Sequence, residues 1–240
     1  MTKGRSPHVH VAALWRYPVK SLGGEPLQAA ELTAGGVAGD RTVHVRDSRG
    51  PLTGRTRHEL LTLGASTGPD SAPRVAGHRW DTPAARQLVR LTAGPDAELS
   101  CYDGPERFDI TNLLVATDGA IGQLDADVRR LRPNLLLAGV PVGAEPSWPG
   151  NVLEIGDALI GIHSQRARCI VTSIDPDTGA QDLEVFRRIR RDFGNEIALN
   201  RWVIRPGTVR VGDPARLVPT QEQPEHVGGW IVGAPYARAR

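Results

Sequence analysis

Gln165-Arg166-Ala167-Arg168-Cys169-Ile170-Val171-Thr172-Ser173-Ile174-Asp175-Pro176-Asp177-Thr178-Gly179 is the stretch on which the fold turns. Two arginines, Arg166 and Arg168, precede a single cysteine, and a β-branched run follows it. Cations near a cysteine favour the thiolate, the form that ligates soft metals or attacks electrophiles. Asp175-Pro176-Asp177-Thr178-Gly179 reads as a turn: aspartates bond their own backbone, proline fixes φ, and glycine accepts positive φ. The pattern predicts a thiol just before or on a strand, with a rigid turn behind it. A plainer reading stands beside it, in which Cys169 is a small buried residue at a strand start.

Upstream, Val9, Val11, Ala13, Trp15 and Tyr17 share one parity, which predicts a strand with one buried face, ending at Pro18. Leu27–Leu32 is a second short apolar segment. Gly35-Gly36 and Gly39-Asp40 read as turns, and Arg41–Arg46 alternates again before a hairpin turn at Asp47-Ser48-Arg49-Gly50. Residues 64–84 are dense in glycine, proline, serine and threonine and read as a long loop, with short strands at Gln87–Thr92 and Glu98–Tyr102 beyond it. Cys101 lies there without basic neighbours, and packing is its expected role. Ala120, Ile121, Leu124, Val128 and Leu131 recur at helical spacing and predict one helix over 117–131, with Thr117 as N-cap. Arg132-Pro133-Asn134 then leads into Leu135-Leu136-Leu137-Ala138, a run suited to a strand buried on both faces. A cation at that corner is costly unless an anion partners it. Residues 152–163 read as a strand pair turning at Gly156-Asp157. Asp182 is placed to cap a further helix with Leu183, Phe186 and Ile189 on one face. Short strands, glycine-rich turns and few helices predict a β-rich α+β protein built from barrels or sandwiches.

Four short motifs in order resemble one family, the MOSC domains found in molybdenum cofactor sulfurases and the mitochondrial amidoxime-reducing component. Tyr17-Pro18-Val19-Lys20-Ser21 followed by Gly39-Asp40-Arg41 is similar to the N-terminal β-barrel part. Leu131-Arg132-Pro133-Asn134 resembles the mid-domain motif, Arg168-Cys169 with Thr172 and Asp175–Gly179 the cysteine motif, and Pro206–Pro214 the closing strand pair. The resemblance spans about residues 9–218 and implies an N-terminal β-barrel-like domain over 8–104 and a C-terminal MOSC β-barrel over 105–218; residues 219–240, rich in proline, glycine and charge, read as a loosely held tail with Trp230 and Tyr236 as candidate anchors. The resemblance further implies the molybdenum cofactor (molybdopterin), with Cys169 as metal ligand and catalytic centre. Lys20, Ser21, Arg41, Thr111, Arg132, Asn134 and Arg168 would hold the pterin and its phosphate. That inventory makes chemical sense: Lys and Arg suit phosphate, small polar side chains suit ring nitrogens and carbonyls, and a thiolate suits the metal. Asp109-Ile110-Thr111 matches the family loosely, and Ala167 stands where amidoxime-reducing members carry a small hydroxyl.

The activity implied is reduction of N-hydroxylated compounds, or related N–O or S–O substrates, by oxygen-atom abstraction at molybdenum. A carrier or sulfurase-type module without its own turnover is the alternative, with the pyridoxal phosphate-family context of the sulfurases behind it. A third is a MOSC scaffold that has lost its metal. Two cysteines in 240 residues make neither a disulfide framework nor a four-cysteine iron–sulfur cluster. A reducing cytoplasm and a separate electron-donor protein are therefore expected. The net charge of +2 argues against bulk nucleic-acid binding. No run approaches the length of a membrane helix, and Met1–Pro7 lacks the apolar core of a signal peptide. Of the arginine clusters, Arg187–Arg191 reads as a solvated helix face, whereas Arg132 and Arg168 read as anion ligands. His163 reads as a hydrogen-bonded structural residue. His8 and His10 give a weak metal hint.

Overall fold

A computed structural model describes residues 8–102, 104 and 107–219. Its strands are β1 (His10–Arg16), β2 (Glu25–Leu27), β3 (Ala29–Thr33), β4 (Gly36–Val37), β5 (Val43–Asp47), β6 (Gly50–Pro51), β7 (Ala65–Thr67), β8 (Pro73–Val75), β9 (His78–Arg79) and β10 (Glu98–Cys101) in the first half. The second half adds β11 (Leu113–Thr117), β12 (Leu135–Ala138), β13 (Val152–Ile155), β14 (Ala158–Ala167), β15 (Glu196–Arg205), β16 (Gly207–Arg210) and β17 (Ala215–Val218). The three α-helices among the described residues are α1 (Pro83–Ala93), α2 (Asp118–Leu124) and α3 (Leu183–Asp192). The β-rich α+β expectation holds.

The large sheet runs β17-β13-β14-β15-β11-β12-β1-β2, and a small sheet runs β16-β3-β4. Leu14, Leu113, Leu135, Ile160, Ile162 and Leu199 of the first share one core with Leu32, Val37 and Val209 of the second. The first strands of the chain are thus hydrogen-bonded to the C-terminal half: β1 pairs with β12, and β3 with β16. In β1 the expected parity breaks. A register shift between Val11 and Ala13 puts Val11, Leu14 and Tyr17 inside, as a bulge does by adding one residue to one strand. The β13–β14 hairpin turns at Gly156-Asp157 as expected, with φ of +55° at Gly156. Gly161 on β14 faces Trp202 on β15, where a Cβ would meet the indole at 2.4 Å, so only glycine fits.

A second core lies around β5, β10, α1 and the β7-β8-β9 sheet, and includes Val43, Val45, Leu60, Val75 and Val89. Here the expectations need correction. Residues 64–84 contain that three-stranded sheet, and Gln87–Thr92 belongs to α1 rather than a strand. Thr82 caps the helix by accepting from Ala85 N at 3.4 Å, Pro83 sits in its first turn, and Ala85, Val89 and Ala93 bury one stripe at i,i+4 spacing. The helix expected over 117–131 is also two pieces. Thr117 does cap α2, but Asp125 at φ +53° ends it, and a 3₁₀ turn over Val128–Leu131 follows. Asp182 caps α3 as read, yet the buried residues are Val185 and Ile189, and Leu183 is exposed.

His44 on β5 is buried, with Nε2 lacking a partner, and burial pushes its pKa down to about 4. The unfolded chain therefore binds a proton near pH 6.5 that the folded chain refuses until about pH 4. The contribution is complete above pH 6.5 and is lost as pH falls towards 4. His44→Gln should flatten the fall in unfolding free energy across that window, by roughly 1–3 kcal/mol, when urea midpoints are compared at pH 7 and pH 4.5. A wild-type slope retained in the variant would count against this.

Candidate functional site

The end of β14 delivers Arg166 and Ala167, and the chain then leaves the sheet. Arg168 N–H donates to Asn195 O at 2.9 Å, and Cys169 opens a 3₁₀ turn over Ile170–Ser173. The thiol thus follows its strand, and the β-branched run is a turn rather than a strand. Hydroxyls decide this: Thr172 Oγ1 donates back to Cys169 O at 3.0 Å and Ser173 Oγ to Ile170 O at 2.6 Å. Behind it, Asp175 Oδ1 accepts from Asp177 N, Thr178 N and Thr178 Oγ1 at 2.9–3.1 Å, bonds that hold its carboxyl below the usual range. Arg130 donates to Ser173 O and Asp175 Oδ2, both at 3.0 Å, while Arg129 forks onto Asp177 at 2.6–2.8 Å. The cysteine turn is thereby fastened to the corner that carries Arg132.

At that corner Arg132 adopts φ +55° and lays its guanidinium 4.3 Å from the centre of the Tyr17 ring. Its Nη2 is buried without a partner, and burial pushes its pKa down to about 10. Arg168 donates from Nη2 to Leu131 O at 2.7 Å, but its Nε is buried and unpartnered, and burial followed by Arg166 lowers its pKa to about 9. Opposite them, Asp40 is fully buried. It accepts from Tyr17 N at 2.7 Å and from Asn134 Nδ2 at 3.2 Å, and forms an ion pair with Arg41. Arg41, at φ +54°, stacks on Tyr17 and Phe108. Lys20 reaches Asp109 at 2.9 Å, and its pKa is lowered chiefly by burial.

One cleft is lined by all eight residues singled out in the sequence: Lys20, Ser21, Arg41, Thr111, Arg132, Asn134, Arg168 and Cys169. Not all of them present free atoms to it. Asn134 engages both polar atoms inside the protein, its Oδ1 accepting from Leu114 N and its Nδ2 donating to Trp15 O and Asp40 Oδ2, so it braces Asp40. Thr111 Oγ1 donates to Leu113 O and accepts from Arg201 N. Sequence reasoning assigned no site role to Asp40, Arg55, Arg107, Asp109, Arg166 or Asn200; all but Asp40 line the cleft. Asp40 stood inside the Gly39-Asp40-Arg41 motif, whereas Asn200 sits mid-strand in β15 with no local signal.

Outside the cleft, Cys101 is exposed on β10, which corrects the packing role expected of it. On α3, Arg187 and Arg191 lie beside Glu184 on an exposed face, as expected, whereas Arg188 turns inward and donates to Leu124 O at 2.9 Å. His163 is 3.0 Å from Ser164 Oγ, consistent with a structural role, and His10 Nδ1 is 3.0 Å from His8 O. Among the described residues no three His, Cys, Asp or Glu side chains gather as a metal site, and no helix is long and apolar enough to cross a membrane. Met1–Pro7, Trp230 and Tyr236 lie outside the described residues.

Similar proteins bear on these findings. The chain is 26% identical over 287 aligned positions to mitochondrial amidoxime-reducing component 1 of Mus musculus, covering 87% of this chain and 82% of that protein. It is 29% identical over 276 positions to mitochondrial amidoxime reducing component 2 of Homo sapiens, covering 85% and 82%. Their names place those proteins in mitochondria. Among solved structures, the YuaD protein of Bacillus subtilis aligns over 89% of this chain and 97% of its own at 12% identity with a TM-score of 0.46, too low to carry an argument. The MOSC N-terminal beta barrel domain model matches residues 8–100 and the MOSC domain model residues 90–216. With those matches spanning the strands that build the cleft, the chain belongs to the MOSC family.

Proposed function

We propose that the cleft binds the molybdenum cofactor and that the protein is a reductase of N-hydroxylated or related N–O compounds, fed by a separate electron-donor protein in a reducing compartment, the cytoplasm. The observation that carries this reading is the pair of buried, unpartnered guanidinium nitrogens, Arg132 Nη2 and Arg168 Nε, in the cleft that also holds the Cys169 thiol. Buried donors without acceptors are costly, and a phosphate or a pterin carbonyl satisfies them. The residues therefore fit the group. When bound, it supplies two-electron redox chemistry at molybdenum. The chain supplies a thiolate from Cys169 as ligand and cations from Lys20, Arg41, Arg132 and Arg168 for the anionic end. Asn134 and Asp40 hold Arg41 in place, and the Asp175–Gly179 turn fixes the backbone that presents Cys169. Ala167 offers no hydroxyl to the cleft. A carrier role uses the same contacts and differs only in lacking turnover.

Arg132 tests the assignment. Arg132→Ala should weaken cofactor retention roughly tenfold to a hundredfold, the equivalent of one charge-assisted hydrogen bond. Arg190→Ala, on the exposed face of α3, should leave molybdenum and pterin content near wild type. Arg132→Ala should also leave the ligand-free protein as stable as the parent or more so, because it removes a desolvated cation without a bonded partner. Equal molybdenum content in the two purified variants would contradict the cleft as the cofactor site.

A further inference from the structure

A second space adjoins the cleft. It is a cavity of about 480 Å³, within the range of ~300–1,000 Å³ usual for small-molecule pockets. Leu61, Arg132 and Val171 line both spaces, so the cavity meets the cleft two residues along the chain from Cys169. Its walls are aromatic and aliphatic. Trp15 and Tyr17 line it at the end of β1, and Ile174 and Pro176 line it from the turn behind the cysteine. The Tyr17 ring is a fixed wall: Arg132 and Arg41 stack on it at 4.3 and 4.9 Å, and a Cβ at Gly24 would meet it at 2.6 Å.

Three arginines border the cavity, and each is already engaged. Arg129 forks onto Asp177 and also bonds Asp127, and Arg130 bonds Asp175. Arg132 lies on Tyr17, and its free nitrogen is the one assigned above to the cofactor. Three carboxylates thus stand beside three guanidinium groups, and the cavity does not select an anion. An uncharged ring gains here instead, from burial of its apolar surface and from stacking against the two aromatic side chains.

We propose that this cavity binds the uncharged, planar aromatic body of a small molecule. On the proposed function that molecule is the N-hydroxylated substrate, its ring in the cavity and its N–O group in the cleft by Cys169. The inference deepens that reading and rests on it only for the identity of the molecule. It makes aromatic amidoximes better substrates than short aliphatic ones.

Gly64 supplies the test. It lines the cavity and not the cleft, and a Cβ there meets nothing within 4 Å, so Gly64→Leu adds bulk at the cavity wall without a clash at its own backbone. The first arm needs no metal. Benzamide is titrated into the isotope-labelled full chain, and the Trp15 indole N–H resonance, assigned by its loss in Trp15→Phe, is followed. The resonance should shift saturably in wild type, and Gly64→Leu should weaken that binding at least about tenfold. The second arm is steady-state reduction. Gly64→Leu should raise KM for benzamidoxime at least about tenfold with kcat within about twofold, and leave KM for acetamidoxime within about twofold. Should Gly64→Leu fail to fold, wild type decides by the same resonance and by a KM for benzamidoxime at least about tenfold below that for acetamidoxime. A Trp15 resonance that benzamide does not move overturns the proposal, as does an equal rise in KM for the two amidoximes. A saturable Trp15 shift in protein that reduces neither amidoxime contradicts the proposed function and leaves the cavity's ligand class standing.

Discussion

Replacing Cys169 by alanine should abolish reduction of N-hydroxylated substrates while leaving the fold intact. The side chain is only partly buried, its backbone is extended at φ −119°, and the bonds that shape its turn run to its carbonyl oxygen, not its sulfur. Alanine keeps all of these, so the stability change should be within about 1 kcal/mol. Activity should fall by roughly three orders of magnitude or more, equivalent to at least ~4 kcal/mol in the barrier, because the protein's ligand to the metal is gone. Pterin should be partly retained, since its contacts are spread over several cations. Cys101→Ala should stay within about twofold of wild type, because Cys101 is exposed on β10 and does not line the cleft. Activity, pterin and molybdenum measured on both variants decide the matter. An active Cys169→Ala would mean that the metal has another ligand or that the chemistry lies elsewhere.

Asp40→Ala should be the most damaging single change to the architecture of the site. The carboxylate is fully buried and joins three segments: Tyr17 N–H after β1, Arg41 beside it, and Asn134 before β12. Removing it leaves Arg41 and two N–H groups without their acceptor. Breaking a buried ion pair in this way costs about 3–5 kcal/mol, and urea unfolding should show a loss in that range. Cofactor content should fall with it, because Arg41 loses its anchor. Asp40→Asn should fall between alanine and wild type, since its amide oxygen accepts from Tyr17 but carries no charge for Arg41. A loss below about 1 kcal/mol for Asp40→Ala would show that the three segments hold together without it.

The parts legible in the sequence were those set by local chemistry. The Asp175–Gly179 turn, the caps at Thr117 and Asp182, and the hairpin at Gly156-Asp157 each depend on a few consecutive residues, and each formed. Errors arose where local pattern competed with packing. Gln87–Thr92 was read as a short strand, but Ala85, Val89 and Ala93 face the second core, and that buried i,i+4 stripe belongs to a helix. Ile170-Val171 carries strand propensity, yet the two hydroxyls after it bond backwards and close a turn. The candidate cleft was legible through three of the motifs, those carrying Lys20 and Arg41, Arg132 and Asn134, and Arg168 and Cys169, because each ends a strand or turns a corner beside it, whereas Pro206–Pro214 does not line it. Its supports were not: Asn200 and Arg55 enter only through pairings and loop placements set by distant parts of the chain. The internal bonds of Asn134 were hidden for the same reason, since its partners Trp15 and Asp40 are far away in sequence.

Reduction of benzamidoxime by the purified protein, with an artificial electron donor and with bound molybdenum and pterin measured on the same sample, tests the central claim most directly. The proposed function predicts molybdenum and pterin in near-equal amounts and formation of benzamidine in proportion to them, with both turnover and its proportionality lost in Cys169→Ala. Protein that carries the cofactor yet forms no benzamidine or other reduced N–O product would identify a carrier, and protein that carries neither molybdenum nor pterin would contradict the assignment of the cleft.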